Sequence, residues 1–468
     1  MNAPAATTSW WLREALEYDP GEPCPPLTGN ATADVLIVGG GYTGLWTAWF
    51  LKQAGPDLDV LVLEQDICGG GPSGRNGGFM DGYDDHVGTL VDLFGDGGAL
   101  RIVEAGAQTM RELAAWCDEH GVDIWLRRAG CIGVASSPAQ EGAWLSTLVT
   151  AERLGIKNRH RLLSPEELAG YCYSPAFGGG YLVAEAGNVQ PARLARGLRR
   201  VLLEKGVRIR EKTPVLAFRE GPPARARVPG GTVTAERAVL AHGAWATGWK
   251  QFRRSVVARA SYMVITAPAP KRLEEIGWTN GVSIYDMRAA IRYLRTTPDG
   301  RIALGVGGER GAWSSRIGPH FDYSESGTRH ATKALHRFFP GFRDVPIEAA
   351  WGGPIDVSGG HTPFFGMLPS GNVHYGFGYT GNGVGPAHLA GKILASLALD
   401  VENEQTLLPF VHMEPKRFPP EPVRSVGAAI ANEATVRRDD ALDAGRKPNP
   451  LVDFVAKMPR RLGYHLGP

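Results

Sequence analysis

Residues Asp34 to Glu64 constrain this chain more than any others. The run DVLIVGG is continuously apolar and reads as a buried strand, and TGLWTAWFLKQAG after it has apolar residues at helical spacing up to a stop at Gly55. DVLVLE, Asp59 to Glu64, is a second buried strand. Strand, glycine turn, helix and strand within about 30 residues make a βαβ unit with parallel strands and a right-handed crossover. Gly39, Gly41 and Gly44 fall in its turn as Gly-x-Gly-x-x-Gly. Gly39 permits the tight bend, Gly41 lets backbone reach a pyrophosphate, and Gly44 lets helix lie on strand, while the helix N-terminus offers free N–H groups. Glu64 stands twenty residues past Gly44, where a carboxylate accepts hydrogen bonds from ribose hydroxyls. Spacing, context and acid agree on a dinucleotide site. Gln65 and Asp66 follow Glu64 with no arginine for a 2′-phosphate, which disfavours NADP.

Glycine makes up 62 of 468 residues, near twice the average of about 7%. Two further clusters use part of that excess. In Gly69 to Phe79, Ser73, Gly74, Arg75, Asn76, Gly77 and Gly78 suit the gripping of phosphate and ring polar atoms. In Gly378 to Pro386, directly before the last strong helix, Gly381, Asn382, Gly383 and Val384 put bare amides and a positive helix end against a ligand edge that becomes negative.

The remaining composition excludes more than it assigns. Lys+Arg 50 against Asp+Glu 48 leaves a net charge of +2, so nothing points to nucleic acid or an anionic membrane surface. The five cysteines have no Cys-x-x-Cys spacing, and His86, His242, His361, His374 and His388 have no ligand spacing, so no metal is expected. Those cysteines, with no apolar run of about 18 residues and no signal-like N-terminus, favour a cytoplasmic protein without a membrane span.

The expected organisation is discontinuous. Residues 1–30 form an N-terminal extension anchored by Trp10 and Trp11. Residues 31–85, 181–248 and 350–402 form the dinucleotide domain, with two short strands between Thr232 and Trp245. Residues 86–180 and 249–349 form an inserted α+β substrate domain on a mostly antiparallel sheet, since VVARASYMVITA, VSIYDM, AAIRYLRTT and RIALGVGG are β-rich around the turn Pro298 to Gly300. Residues 403–468 are a polar, Pro-punctuated C-terminal extension, basic in patches.

VLIVGGGYTGLWTAWFLKQAG with VLVLE, GPSGRNGGF, RAVLAHGAW and GFGYTGNGVG resemble the flavin-dependent D-amino-acid oxidase and sarcosine oxidase family, from about Asp34 to Leu399. GPSGRNGGF and SYMVITAP are most similar to its γ-glutamylputrescine oxidase branch. The resemblance implies a glutathione-reductase-like domain binding FAD, with the isoalloxazine at the boundary with the substrate domain. It places pyrophosphate on Gly39, Gly41 and Gly44 with Tyr42 and Thr43, ribose on Glu64 with Gln65, and adenine on the backbone of Val215. Residues Ser73 to Gly78 would line the flavin and Gly381 to Val384 its pyrimidine edge, with Gly243 and Trp245 further cofactor-binding candidates. Members with attached flavin would carry His near Arg75 or Cys near Trp351; neither is present, which implies non-covalent FAD.

The reaction implied is oxidation of a C–H bond beside an amine nitrogen. The substrate is a small amine or amino acid, a γ-glutamyl amine and an aminophosphonate included, and the electron acceptor is O2 or a small or protein carrier. Tyr293 resembles the active-site tyrosine of relatives; Arg292 and Trp351 are the other pocket candidates. On a strand, Ile291, Tyr293 and Arg295 share one face and Arg292 and Leu294 the other. Sarcosine-oxidising relatives have a carboxylate-binding arginine where this chain has Asp81, Asp84 and Asp85, which hints at a cationic substrate, and the oxygen-activating lysine has no counterpart between Asp286 and Arg310. Oxidase and dehydrogenase both stay open, as does oligomeric state. Two alternatives stand beside this reading. An NAD(P)H-dependent flavin monooxygenase expects a late Gly-Asp pair where this chain reads GMLPSGN, and in a non-catalytic role the C-terminal tail mediates contacts.

Overall fold

The computed structural model describes residues 8–307 and 316–465. Strand Ala31–Val38 lies parallel between Val60–Leu63 and Gly231–Leu240, with Arg208–Arg210 and Val373–Phe377 extending the parallel sheet outward. Val60–Leu63 is buried throughout, as the unbroken apolar run requires of a strand covered on both faces. Helices Tyr42–Ala54 and Val384–Ala398 pack together on this sheet so closely that a Cβ on Gly391 would sit 2.5 Å from the Trp46 Cβ. The region read as two short strands after Thr232 is one ten-residue strand, Gly231–Leu240. Its first half is held by a partner the sequence reading missed, the antiparallel strand Ala224–Val228, whose arginines alternate outward from buried Ala224, Ala226 and Val228.

The second sheet has eight strands in the order Ile347–Ser358, Val256–Thr266, Ile302–Val306, Arg292–Thr296, Ser283–Asp286, Cys131–Val134, Gly180–Val183, His160–Leu163. It is antiparallel apart from the Ser283–Asp286 and Cys131–Val134 pair. Strand Gly180–Val183 pairs within this sheet, and Ile347–Ser358 pairs along its length with Val256–Thr266 and reaches Tyr379 only by a bridge at Val357, so the changes of layer fall outside the strands rather than at 181 and 350. Helix Glu325–Phe338 covers the face away from the first sheet, its N-terminus capped by Ser324.

Two segments outside the sheets strap them together. Trp10 and Trp11 are buried in helix Trp10–Tyr18, and Trp11 meets Trp351 edge-on at 6.1 Å. The C-terminal extension contains a 21-residue helix, Val423–Asp443, fixed by Arg288 to Asp439 and Asp443 and by Arg292 and Arg337 to Asp443. Among the described residues no helix is long and apolar enough to cross a membrane, and no cluster of potential metal ligands occurs.

Candidate active site

The three glycine-rich segments border one continuous cleft of about 3410 Å³, against roughly 300–1,000 Å³ for ordinary small-ligand sites. Gly39, at φ +114°, makes the turn after the first strand; a Cβ there would be 2.5 Å from the Ala241 carbonyl oxygen. Gly41, Tyr42 and Thr43 follow on the cleft wall. Gly44 faces inward instead, where a Cβ would lie 2.0 Å from the Gly39 oxygen, so it serves helix–strand contact. The Glu64 carboxylate accepts from Gly40 N at 2.7 Å and Asp66 N at 2.8 Å, and burial pushes its pKa up to about 7. Each oxygen accepts one of these bonds, and Glu64 borders the cleft. Gln65 and Val215 line the same end, and Gly243 and Trp245 the middle.

The second glycine segment lines the cleft with backbone. The side chains of Arg75 and Asn76, expected to grip a ligand, hold the segment itself: Asn76 Nδ2 donates to the Pro72 and Ser73 carbonyls and its Oδ1 accepts from Gly78 N, while Arg75 Nε donates to Gly70 O at 2.7 Å and Nη1 pairs with Asp322 at 3.2 Å. Ser73 Oγ accepts from Tyr42 N at 2.9 Å and ties this segment to the first. Gly74 and Gly78 face Gly69 and Val189 carbonyls rather than the cleft. Thr43 donates to Tyr379 Oη at 2.7 Å, which joins the first segment to the third. In the third, Gly381 to Val384 border the cleft, helix Val384–Ala398 begins there with no side-chain cap, and Asn382 Oδ1 is buried without a partner among the described residues. The N-cap of Tyr42–Ala54, Gly41, is likewise bare of side chain. Two helix N-termini opening on one cleft are a cradle for an anionic ligand.

Opposite the second segment lies one face of the eight-stranded sheet. Tyr293 sits there, its Oη 2.8 Å from Ser261 Oγ, its ring edge-on to Phe79 at 5.8 Å and against Gly77. Tyr285 faces Tyr293 across the strands, and its Oη meets that of Tyr181 at 2.5 Å. Burial pushes the Tyr293 phenol up to about 12. Asp81 and Asp85 enter from the end of the second segment. Burial and its acidic neighbours raise the Asp81 carboxyl well above the usual range, and Asp85 Oδ1 accepts no hydrogen bond among the described residues, with His86 Nε2 3.6 Å away.

Two pocket candidates lie elsewhere. Arg292 points to the opposite face of the sheet, pairing with Asp286 at 3.2 Å and Asp443 at 3.1 Å, because alternation along the strand separates it from Tyr293. Trp351 is buried beneath the second segment, its Nε1 donating to Arg75 O at 2.9 Å. Arg259, which the sequence reading passed over, shares the cleft face with Ser261; the only signal was its odd-numbered register with Ser261 on VVARASYMVITA.

A family profile described as DAO, FAD dependent oxidoreductase, matches residues 34–397. The chain belongs to the DAO family. It is 28% identical to the probable oxidoreductase OrdL of Rhizobium meliloti over 85% of this chain and 90% of that one. It is also 28% identical to the gamma-glutamylputrescine oxidoreductase of Escherichia coli, over 84% and 88%. Its fold matches that of glycine oxidase from Geobacillus kaustophilus with a TM-score of 0.67 at 21% identity, covering 82% of this chain and 99% of that one. The DAO-family chain is therefore an FAD-dependent oxidoreductase. The bare helix ends, the Glu64 carboxylate and the unpartnered Asn382 oxygen fit FAD's diphosphate, ribose and ring edge. Helix Val423–Asp443 lies beyond the matched residues.

Proposed function

We propose that the chain oxidises the C–N bond of a small primary or secondary amine or amino acid to an imine, which water then hydrolyses. Bound FAD supplies the hydride acceptor at N5 and is returned to its oxidised state by O2 or another acceptor. The cofactor's pyrophosphate would lie at Gly39, Gly41, Tyr42 and Thr43, its ribose at Glu64, its ring between the backbone of Ser73 to Gly77 and that of Gly381 to Val384. The chain's task at the reacting bond is orientation and exclusion of water. Tyr293 and Tyr285 give the substrate a flat wall, and the unoccupied Asp85 Oδ1 can hold the proton an ammonium must lose before its carbon becomes a hydride donor.

The observation that carries this reading is the packing of Tyr293 against Gly77. It brings the aromatic face of the substrate sheet onto the segment that lines the ring site, with no intervening side chain. The test is anaerobic bleaching of the bound-flavin absorbance by glycine, sarcosine, D-amino acids, γ-glutamyl amines, polyamines and aminophosphonates, followed by air. Bleaching by one class supports amine oxidation, and the rate of recovery in air separates oxidase from dehydrogenase. Bleaching by NADPH alone overturns it.

A further inference from the structure

Arg259 lies in strand Val256–Thr266, half-buried, on the cleft wall with Val257 and Ser261. Burial lowers its pKa, and among the described residues no acidic group opposes that shift. Its one hydrogen-bond partner among the described residues is neutral: Nη2 donates to Oδ1 of Asn432, in helix Val423–Asp443. The other enclosed arginines of the cleft are matched with acids, Arg75 with Asp322 at 3.2 Å, Arg424 with Glu421, and Arg438 with Asp453 at 2.9 Å. A guanidinium withdrawn from water without an anion costs several kcal/mol, a cost that an anion arriving with a ligand removes.

Its position says which part of a ligand that anion belongs to. Ser261 touches Tyr293, and Arg259 is two residues further along the strand, roughly 6.6 Å away. The cation therefore stands to one side of the reacting bond rather than over it. Asp81 and Asp85 border the same cleft, and neither contributes to the shift of Arg259. A carboxylate matches the guanidinium fork in two parallel hydrogen bonds, and Asn432 Nδ2 remains a further donor. Asn432 is held over the cleft because its helix is pinned two turns later by Arg288 to Asp439 and Asp443.

We propose that Arg259 and Asn432 form an anion-recognition end of the substrate chamber, so that the amine oxidised here carries a carboxylate remote from its reacting C–N bond, and the C-terminal extension is part of the active site. This rests on the amine-oxidation reading above for the identity of the reacting group, not for the presence of the anion site.

Two measurements on the FAD-loaded enzyme keep the two claims apart. The first titrates butanoate, which has no amine to oxidise, against the flavin spectrum and by calorimetry. The second compares anaerobic flavin reduction by amines differing only in a terminal carboxylate or its amide, 4-aminobutanoate against 4-aminobutanamide and 5-aminopentanoate against its amide. The wild type binds butanoate saturably and favours the acid over the amide by about 30-fold or more in limiting rate over Kd, the ~2 kcal/mol expected of a charge-assisted pair. Arg259→Met brings that preference to within about threefold, and Arg259→Lys restores part of it. Asn432→Asp, which sets a carboxylate against Arg259 while keeping the helix, abolishes butanoate binding. Equal use of acid and amide by the wild type, or an unchanged preference in Arg259→Met, overturns the anion site even if amines bleach the flavin. If no amine bleaches it but butanoate binds in an Arg259-dependent way, the amine reading falls and the anion site stands.

Discussion

Tyr293 owes its position to two residues without side chains. Its ring lies along the sheet because Gly305, opposite it on Ile302–Val306, leaves the space; a Cβ there would be 2.1 Å from the Tyr293 Cζ. Gly305→Ala is therefore expected to lift the ring toward Gly77 and the FAD site, which lowers both FAD content and the rate of anaerobic reduction. Tyr293→Phe removes only the bond to Ser261, about 1 kcal/mol, and is expected to slow reduction by roughly fivefold with FAD content unchanged. A Gly305→Ala enzyme with wild-type FAD content and rate would mean the ring is placed by something else. Glu64 carries the second residue-scale prediction. Its folded pKa of about 7 lies above the usual 4.5, so its contribution to the stability of the FAD-free protein is present below about pH 4.5 and lost as pH rises through 7. Ribose hydroxyls donate to the ionised carboxylate, so FAD binding works in the other direction and tightens from pH 5 to 8. Glu64→Gln should weaken FAD binding about tenfold at pH 8, ~1.4 kcal/mol, and flatten the pH profile; fluorescence quenching of FAD across that range reads both.

At the scale of elements, the helix Val423–Asp443 depends on a buried charge cluster more than on an apolar face. Arg288 is 1% exposed and Asp443 12%, and Asp443 also serves Arg292 and Arg337. Asp443→Ala leaves three arginines short of one acid, a loss of about 3–5 kcal/mol for a broken buried pair. The helix should then release from the sheet, seen as faster proteolytic cleavage between 403 and 422 and a lowered melting temperature; unchanged cleavage would show that the packing of Asn432 and its neighbours suffices. This helix was the least legible element in the sequence. Its apolar residues, such as Val423, Val426 and Ile430, lie on its exposed side, so no apolar stripe announced it, and the acids that fix it pair with residues about 150 positions away. The opposite held for Ala31–Val38 and Tyr42–Ala54, whose apolar run, glycines and helical period are all local. The βαβ unit, the capped helix at Ser164 and the β-rich insert were legible for the same reason. In the candidate site the glycine segments were readable, whereas the fate of polar side chains was not. Whether Arg75 or Asn76 faces a ligand or a backbone carbonyl depends on contacts with Gly70, Asp322 and Pro72 that only the folded chain sets.

Across the whole molecule, the proposed FAD site lies where the two layers meet. The cleft runs between the parallel sheet and the eight-stranded sheet, and its walls include backbone from both. A ligand that binds only the folded form stabilises it by RT ln(1 + [L]/Kd), about 2.7 kcal/mol at a hundred times Kd. That stabilisation depends on free FAD concentration only if the cofactor is not bonded to the chain. At the two positions where attaching relatives would carry His or Cys, this chain has Arg75, held by Gly70 and Asp322, and Trp351, buried with its Nε1 on a carbonyl. The five cysteines are all buried, and none borders the cleft among the described residues. Non-covalent FAD is what this arrangement predicts. Acid precipitation of the yellow protein should leave the flavin in the supernatant, and the melting temperature should rise with added FAD in excess of the protein. Colour retained in the pellet, with a melting temperature indifferent to added FAD, would require a bond to a side chain other than these, and the histidines bordering the cleft, His86, His242, His320, His361 and His465, would be the first places to look for it.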